Sequence, residues 1–132
     1  MKLVKIKSLP DADEVISWLV DLVKNDEMNT GSWPLALPSY TPDGNFYVVE
    51  DQDSQDDRIV MPAYIMAIGD EALVLWVDKS CRRKGYAKFM VNSLGIRYCV
   101  AIESSVPFWK SLGFKQLNGH SNYNQGGIRM KR

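Results

Sequence analysis

The sequence predicts one domain of the α/β or α+β class, with helices packed on a sheet. Seven short segments have the alternating or continuous apolar pattern of strands, and three others are predicted helices. Their order is β, α, three strands, α, β, α, β, β, which is typical of a sheet covered by helices. The 132 residues correspond to one domain, long enough to bury a core without metal or disulfide staples.

The first two elements are an edge strand and an amphipathic helix. "KLVKIK" alternates apolar and basic residues, which favours an edge strand. Ser8 with Asp11, or Asp11 with Glu14, is predicted to cap the helix, and Pro10 suits its first turn. The apolar residues that recur at helical spacing in "SLPDADEVISWLVDLVKNDEM" are Val15, Trp18, Leu19, Leu22 and Val23.

A three-stranded meander follows a predicted ordered loop over residues 29–45. Its strands are "NFYVVED", "RIVMPAYIMAIG" and "ALVLWVD", separated by the polar turn "QDSQDD" and a tight turn. Pro62 has no N–H, so it predicts either an edge position or a bulge in the second strand. The continuous apolar run of the third strand predicts a central position.

The remaining elements alternate between helices and strands. A helix is predicted from about Gly85 to Leu94, followed by the strand "RYCVAI". The short helix "SSVPFWKSL" is predicted to end at Gly113. "FKQL" and "GIRMK" are predicted to pair across the polar loop "NGHSNYNQG".

Composition excludes several classes of protein. Apolar residues make up 45% and charged residues 24%, as in soluble globular proteins. No apolar run approaches the roughly 20 residues of a membrane span, and "MKLVKIKSLPDADE" has no signal-peptide pattern. With one His, and with Cys81 and Cys99 outside any ligand spacing, we expect no metal. Free thiols predict a cytoplasmic location.

Charge is divided unevenly along the chain. Residues 1–78 hold 5 basic and 15 acidic residues, whereas residues 79–132 hold 11 basic residues and 1 acidic residue. This division predicts an anionic and a cationic surface with different partners. The alternative is that the halves interleave in space and their fields cancel.

The segment "VDKSCRRKGYAKFM" predicts a phosphate site. It passes from a strand through a basic turn and Gly85 into a helix. The first N–H groups of a helix have no intrahelical partner, the macrodipole adds positive charge, and a glycine allows close approach. The pattern of neither a P-loop nor a dinucleotide fold is present. The alternative is a solvated basic loop.

Two short motifs lie on either side of the strand "RYCVAI". Arg82, Gly85 and Ala87 form R-x-x-G-x-A after "WVD", which resembles the acyl-CoA signature [QR]-x-x-G-x-[GA] of the GNAT N-acetyltransferase superfamily. "VPFWKSLGFKQ" is similar to the late helix and strand of that superfamily. The resemblance implies a single GNAT domain over residues 1–132, built on a central mixed, mostly antiparallel sheet flanked by helices. It also implies acetyl transfer from acetyl-CoA to a primary amine by direct attack.

The resemblance also implies which residues hold the cofactor. Backbone amides of the basic turn would bind the pyrophosphate, and the end of the strand before it would pair with the pantetheine arm. An aromatic pair would flank the thioester, with core packing as the alternative, and Ser104 or Ser105 would contact CoA. The predicted cofactor residues are Trp76, Val77, Arg82, Arg83, Lys84, Gly85, Tyr86, Ala87, Ser105, Phe108 and Trp109.

The catalytic groups are less defined. Trp109 occupies the position where many relatives carry a tyrosine that protonates the thiolate, and Ile102 replaces a frequent Asn. The general acid stays unassigned between water, Tyr86, Tyr98 and Tyr123. A further alternative is that the rate enhancement comes mainly from positioning the amine and thioester and from amide donors that stabilise the oxyanion. Among acids near strand ends, which also include Glu71 and Asp78, the predicted bases are Glu50 and Glu103, with solvated turn residues as the alternative.

The predicted partner is a cationic amine acceptor, either a small molecule or a protein. The acidic half, including "EDQDSQDD", would attract a lysine side chain, a protein N-terminus, a polyamine or an aminoglycoside. No nucleic acid and no membrane are expected, and a homodimer stays open. The alternatives are a non-catalytic, regulatory acyl-CoA-binding module of the same fold and nucleic-acid binding through the basic half.

Overall fold

The computed structural model describes residues 1–25, 45–51, 59–101, 105–117 and 128–132. Within these ranges the elements follow the predicted order. The predicted loop over 29–45, the turn over 52–57 and the loop over 118–126 lie almost entirely outside them. The elements are β1 (Lys2–Lys5), α1 (Ala12–Lys24), β2 (Phe46–Asp51), β3 (Ile59–Ile68), β4 (Glu71–Val77), α2 (Tyr86–Ser93), β5 (Tyr98–Ala101), α3 (Val106–Ser111), β6 (Lys115–Gln116) and β7 (Ile128–Lys131).

The strands form one sheet in the order β1-β2-β3-β4-β5-β7-β6. Every neighbouring pair is antiparallel except β4 and β5, which are parallel. The prediction of a mixed, mostly antiparallel sheet with β1 at its edge is therefore confirmed. The central position predicted for β4 is confirmed as well.

Helices cover both faces of this sheet. On one face α1 buries Val15, Leu19 and Val23 against residues of β2, β3 and β4. On the other face α2 and α3 contribute Met90 and Trp109 to a second core. Adjacent strand residues point to opposite faces, so the two cores share the backbone of the sheet.

The N-terminal boundaries differ from the prediction. β1 ends at Lys5, and residues Ile6–Ser8 form a 3-10 turn in which the Ser8 hydroxyl donates to the Lys5 carbonyl at 2.7 Å. Ser8 therefore does not cap α1. Asp11 occupies the N-cap position, but its side chain makes no capping bond, and Pro10 precedes the helix rather than lying in its first turn.

Pro62 lies in an interior strand, so the edge alternative is wrong and the bulge alternative is confirmed. β3 pairs with β2 on one side and β4 on the other. Its register with β2 shifts between Val60 and Tyr64, which brackets Pro62. The Pro62 carbonyl accepts the Asp78 N–H at 2.8 Å, although proline offers no N–H in return.

In the described ranges, no helix has both the length and the apolarity needed to cross a membrane. That part of the chain also holds no cluster of three His, Cys, Asp or Glu side chains placed to bind a metal. Cys81 and Cys99 are both free thiols and both buried.

Candidate active site

β4 and β5 separate to form a wedge at one end of the sheet. They pair only where Glu71 meets Tyr98 and Ala72 meets Cys99. Beyond that point β5 continues to pair with β7 through Ala101, whereas β4 runs on to Val77 without a registered β5 partner in the described residues. The wedge therefore opens toward the carboxyl ends of the two parallel strands.

The backbone of β4 directs alternate residues into this wedge. Asp78 N–H donates to the Pro62 carbonyl, so the hydrogen-bonded pairs of the β3–β4 ladder alternate from that position. Trp76 accordingly directs its N–H and C=O to Tyr64 on β3. Val77 and Leu75 direct theirs to the opposite side, toward β5. An extended chain with amide groups could pair with β4 there.

A turn built on Asp78 carries the chain out of β4. The Asp78 carboxylate accepts from the Ser80 hydroxyl and from the Ser80 N–H, the latter at 3.1 Å. The Ser80 hydroxyl holds the pKa of Asp78 below its usual range, and the charges of Arg82 and Lys79 add to this effect. Asp78 is therefore a capping carboxylate and a weak proton acceptor.

The turn then presents the start of α2. Arg83 and Gly85 both have positive φ, at 65° and 88°. The Phe89 N–H donates to the Gly85 carbonyl at 3.0 Å, so the N–H groups of Tyr86 and Ala87 precede the first turn of helix bonds. A Cβ atom at Gly85 would meet nothing within 4 Å, which leaves the space beside this backbone open. The geometry suits an anion.

Arg82 is directed backwards from this turn. Its Nε–H donates to the Val77 carbonyl at 3.0 Å, in a half-buried contact. Arg83 and Lys84 are exposed. Arg82 therefore differs in its environment from the other two basic residues of the turn.

The aromatic pair on α3 is divided between core and surface. Trp109 is only 3% exposed, and its ring contacts Phe108 and Phe114 edge-on, at 5.3 and 5.0 Å between centroids. The core-packing alternative therefore describes Trp109. Phe108 is half-buried, and Ser105 directly precedes α3 at the open end of β5.

The carboxylates fall at opposite ends of the sheet. Glu50 pairs with Val60 near the end of β2, which is the end where β4 reaches Val77. Glu71 lies at the closed end, about 20 Å along β4 from Val77, opposite Tyr98. Glu71 and Tyr98 are therefore remote from the wedge. Glu103, Tyr123, Ile102 and Ser104 lie outside the described residues.

The structure also has a groove along α2 that the sequence analysis did not predict. It has a volume of about 410 Å³ and is lined by Gly85, Lys88, Phe89, Asn92 and Ser93. These residues recur at i, i+3, i+4, i+7 and i+8, so the helical period downstream of Gly85 could have indicated them.

The family model described as "Acetyltransferase (GNAT) domain" matches residues 42–116. This chain belongs to the GNAT acetyltransferase family. The match confirms the family named from R-x-x-G-x-A and "VPFWKSLGFKQ". At the level of the family it also confirms an acetyltransferase that uses acetyl-CoA.

Solved structures with the same fold are distant in sequence. Tetrahymena GCN5 has 12% identity and a TM-score of 0.60, covering 98% of this chain and 93% of its own. PH1933 from Pyrococcus horikoshii has 15% identity and a TM-score of 0.58, with coverages of 98% and 95%. Rv2747 from Mycobacterium tuberculosis, solved with CoA, has 12% identity and a TM-score of 0.54, with coverages of 98% and 97%. No curated protein sequence matches this GNAT chain.

Proposed function

We propose that this GNAT protein transfers an acetyl group from acetyl-CoA to a primary amine that approaches as a cation. The observation that carries the proposal is the junction of the β4–β5 wedge with the turn at Gly85. Pantetheine is an extended chain with two amides, which suits a strand edge, and pyrophosphate suits a helix N-terminus. The two halves of one ligand thus match two adjoining backbone surfaces.

The cofactor contacts follow from this arrangement. N–H groups of Gly85, Tyr86 and Ala87 bind the pyrophosphate, and the exposed side chains of Arg83 and Lys84 add positive charge. On β4, Val77 and Leu75 pair with pantetheine, because their polar groups face the wedge. The backbone contact first predicted for Trp76 thus passes to Leu75.

The thioester lies beyond pantetheine, near the start of α3. We place Phe108 against the acetyl end and Ser105 near the thiol, since Ser105 and α3 follow the open end of β5 along the chain. Trp109 supports the Phe108 ring from the core. This packing role does not require the indole to donate a proton to the CoA thiolate.

The chemistry is direct attack on the thioester. The neutral amine nitrogen forms a bond to the acetyl carbon, and the carbon–sulfur bond breaks. Before attack, Glu50, directly or through water, accepts a proton from the ammonium group and so leaves the neutral amine. After attack the nitrogen loses a second proton, which passes through water to the departing CoA thiolate. Glu103 stays an alternative base that lies outside the described residues.

Charge supports a cationic acceptor. The described residues from 79 onward include all 11 basic residues of that half, which suits the CoA phosphates. Glu50 and Asp51 end β2 at the same end of the sheet as the wedge. An ammonium group is attracted to such carboxylates, and the attraction weakens as salt rises.

The test is thiol release from acetyl-CoA with a panel of cationic and neutral amines. We expect turnover with a cationic amine, and a rise in its KM when Asp51, Asp53, Asp56 and Asp57 are all changed to Asn. A neutral amine of the same size, if it reacts, serves as the matched control and keeps its KM. Equal KM changes for both amines would contradict the cationic acceptor.

The second candidate is a non-catalytic acyl-CoA-binding module. The burial of Trp109, where many relatives carry a proton-donating tyrosine, favours it. CoA binding without thiol release for any amine would support this candidate over the enzyme. Cytoplasmic location, the absence of nucleic-acid and membrane partners, and a homodimer remain predictions. Steeply salt-dependent RNA or DNA binding that CoA does not compete would overturn the nucleic-acid prediction.

A further inference from the structure

The Arg82 side chain joins two parts of the candidate site. Its Nε–H donates to the Val77 carbonyl at 3.0 Å, five residues earlier in the chain. Val77 is the last residue of β4, and its carbonyl faces the wedge. The bond therefore closes a loop whose ends are the strand edge and the phosphate turn.

The neighbouring contacts make this loop compact. Asp78 is bonded to Ser80 by its carboxylate, and the charge of Arg82 contributes to the lowered pKa of Asp78. Directly after Arg82, Arg83 adopts a positive φ of 65°, which is unfavourable for a residue with a Cβ atom. A backbone in that conformation persists when surrounding contacts hold it, and the Arg82 bond is one such contact.

The Arg82 atom that donates to the Val77 carbonyl, Nε, shows which side-chain group this contact requires. Nε is the fourth side-chain atom, after three carbons. Glutamine carries its amide nitrogen at the same place, whereas lysine has a methylene there and its nitrogen one bond further along. The contact therefore needs an N–H at the fourth atom rather than a positive charge.

We propose that Arg82 is a positioning residue that fixes the phosphate turn against the end of β4 and so sets the pantetheine register. With the Val77 carbonyl engaged by Arg82, the ligand pairs with the Val77 N–H and with Leu75. The inference rests on the proposed function, because it assigns a role within the same site. It makes hydrogen bonding the main contribution of Arg82, ahead of charge.

The test compares Arg82→Gln, Arg82→Lys and Arg82→Met in the full chain. CoA dissociation constants are measured by calorimetry at low salt and at 0.5 M salt, where the Debye length falls to about 4 Å and exposed charges are screened. At 0.5 M salt we expect Arg82→Gln to stay within about threefold of wild type. Arg82→Lys and Arg82→Met should bind about tenfold more weakly, which is the range for one such hydrogen bond.

Matched controls come from Arg97, which is exposed at the closed end of the sheet. Arg97→Gln and Arg97→Lys make the same chemical changes away from the wedge, so we expect CoA affinity within about twofold of wild type. A second readout needs no ligand: hydrogen exchange of a peptide over residues 78–85. We expect faster exchange in Arg82→Lys and Arg82→Met, and the wild-type rate in Arg82→Gln.

The outcomes separate the two proposals. If wild type does not bind CoA, the proposed function fails, and the exchange ranking alone decides the role of Arg82. If wild type binds CoA while Arg82→Lys keeps its affinity and Arg82→Gln loses it, charge is the requirement and the positioning role is overturned. Equal losses in Gln and Lys, or no loss in any variant, overturn it as well.

Discussion

The indole of Trp109 contacts the ring of Phe114 edge-on, with centroids 5.0 Å apart and planes at 74°. The two residues are 3% and 2% exposed, so the contact is internal. Edge-to-face packing of this kind adds to the stabilisation from burial itself. Trp109 thus has a structural reason to be an aromatic residue that is independent of proton transfer.

Replacing Trp109 should therefore alter stability more than chemistry. We expect Trp109→Ala to lower the free energy of unfolding by about 3–5 kcal/mol. Trp109→Tyr should lower it by about 1–3 kcal/mol, because the new hydroxyl is buried without an assured partner. Urea unfolding measures both changes, and thiol release at saturating substrate measures kcat. A tenfold gain in kcat for Trp109→Tyr, without loss of stability, would contradict this expectation. It would show that the site lacks only a proton donor at position 109.

Gly85 should matter more to CoA affinity than Arg83. A Cβ atom at Gly85 would meet nothing within 4 Å, but Gly85→Val forces the branched residue to adopt a φ of 88°, which its side chain opposes. The turn is then expected to shift its amides and weaken CoA binding at least tenfold. Arg83→Ala removes one exposed charge and should cost about two- to fivefold. Calorimetry gives the ranking, and the reverse order would mean that charge dominates phosphate binding.

The positive φ of Arg83 predicts a stabilising substitution. A left-handed conformation costs a residue with a Cβ atom about 1–2 kcal/mol, and glycine avoids most of that cost. We expect Arg83→Gly to raise the free energy of unfolding by about 0.5–1 kcal/mol relative to Arg83→Ala. Since both variants lose the same charge, the comparison isolates the backbone. Equal stabilities in urea titrations would show that Arg83 is unstrained.

The Asp78 turn predicts an acid-dependent contribution to stability. The folded-state pKa of Asp78 lies below the ordinary range of an aspartate, chiefly because the Ser80 hydroxyl donates to the carboxylate. A depressed pKa stabilises the fold above the unfolded pKa, and this stability is lost as pH falls through the folded pKa. Asp78→Asn should therefore lower the free energy of unfolding by about 0.5–1 kcal/mol at pH 7, and by less once the pH falls through the folded-state pKa of Asp78. A difference independent of pH would contradict this origin.

The role proposed for Glu50 predicts that replacing it lowers kcat without changing CoA affinity. If Glu50 accepts the amine proton, Glu50→Gln should lower kcat by about 100-fold or more. CoA affinity should not change, because Glu50 lies two strands from β4, about 10 Å across the sheet. Glu71→Gln is the matched control at the closed end, with kcat expected within about threefold. A normal kcat for Glu50→Gln would transfer the role to Glu103 or to water.

The sequence predicted the element order because each strand and helix carries its own apolar period. It could not predict how β4 and β5 separate, since that depends on pairing between segments more than twenty residues apart. The sequence also could not distinguish the two adjacent aromatic residues of α3. A six-residue helix has fewer than two turns, which gives too few positions to tell that Trp109 faces the core and that Phe108 is only partly buried. The contact between Arg82 and the Val77 carbonyl could not be predicted either, because the motif identifies a residue and not the direction of its side chain.

The boundaries of helices and strands were the other feature that the sequence predicted incorrectly. Ser8 and Asp11 both have side chains suited to capping, yet Ser8 bonds to the Lys5 carbonyl and Asp11 makes no cap. A local hydrogen bond with a nearer partner determined the outcome for Ser8. Such competition between equivalent short-range contacts leaves no periodic pattern in the sequence.

Pro62 determines where β4 ends, although it belongs to another strand. Its carbonyl receives the Asp78 N–H, but with no N–H of its own it cannot return the second bond of that pair. The last residue pair of the β3–β4 ladder therefore has one hydrogen bond instead of two, at the residue where the chain leaves the sheet to form the turn. A residue with an N–H at position 62 would favour a longer β4, and the strand would then compete with the cofactor turn for the same stretch of chain.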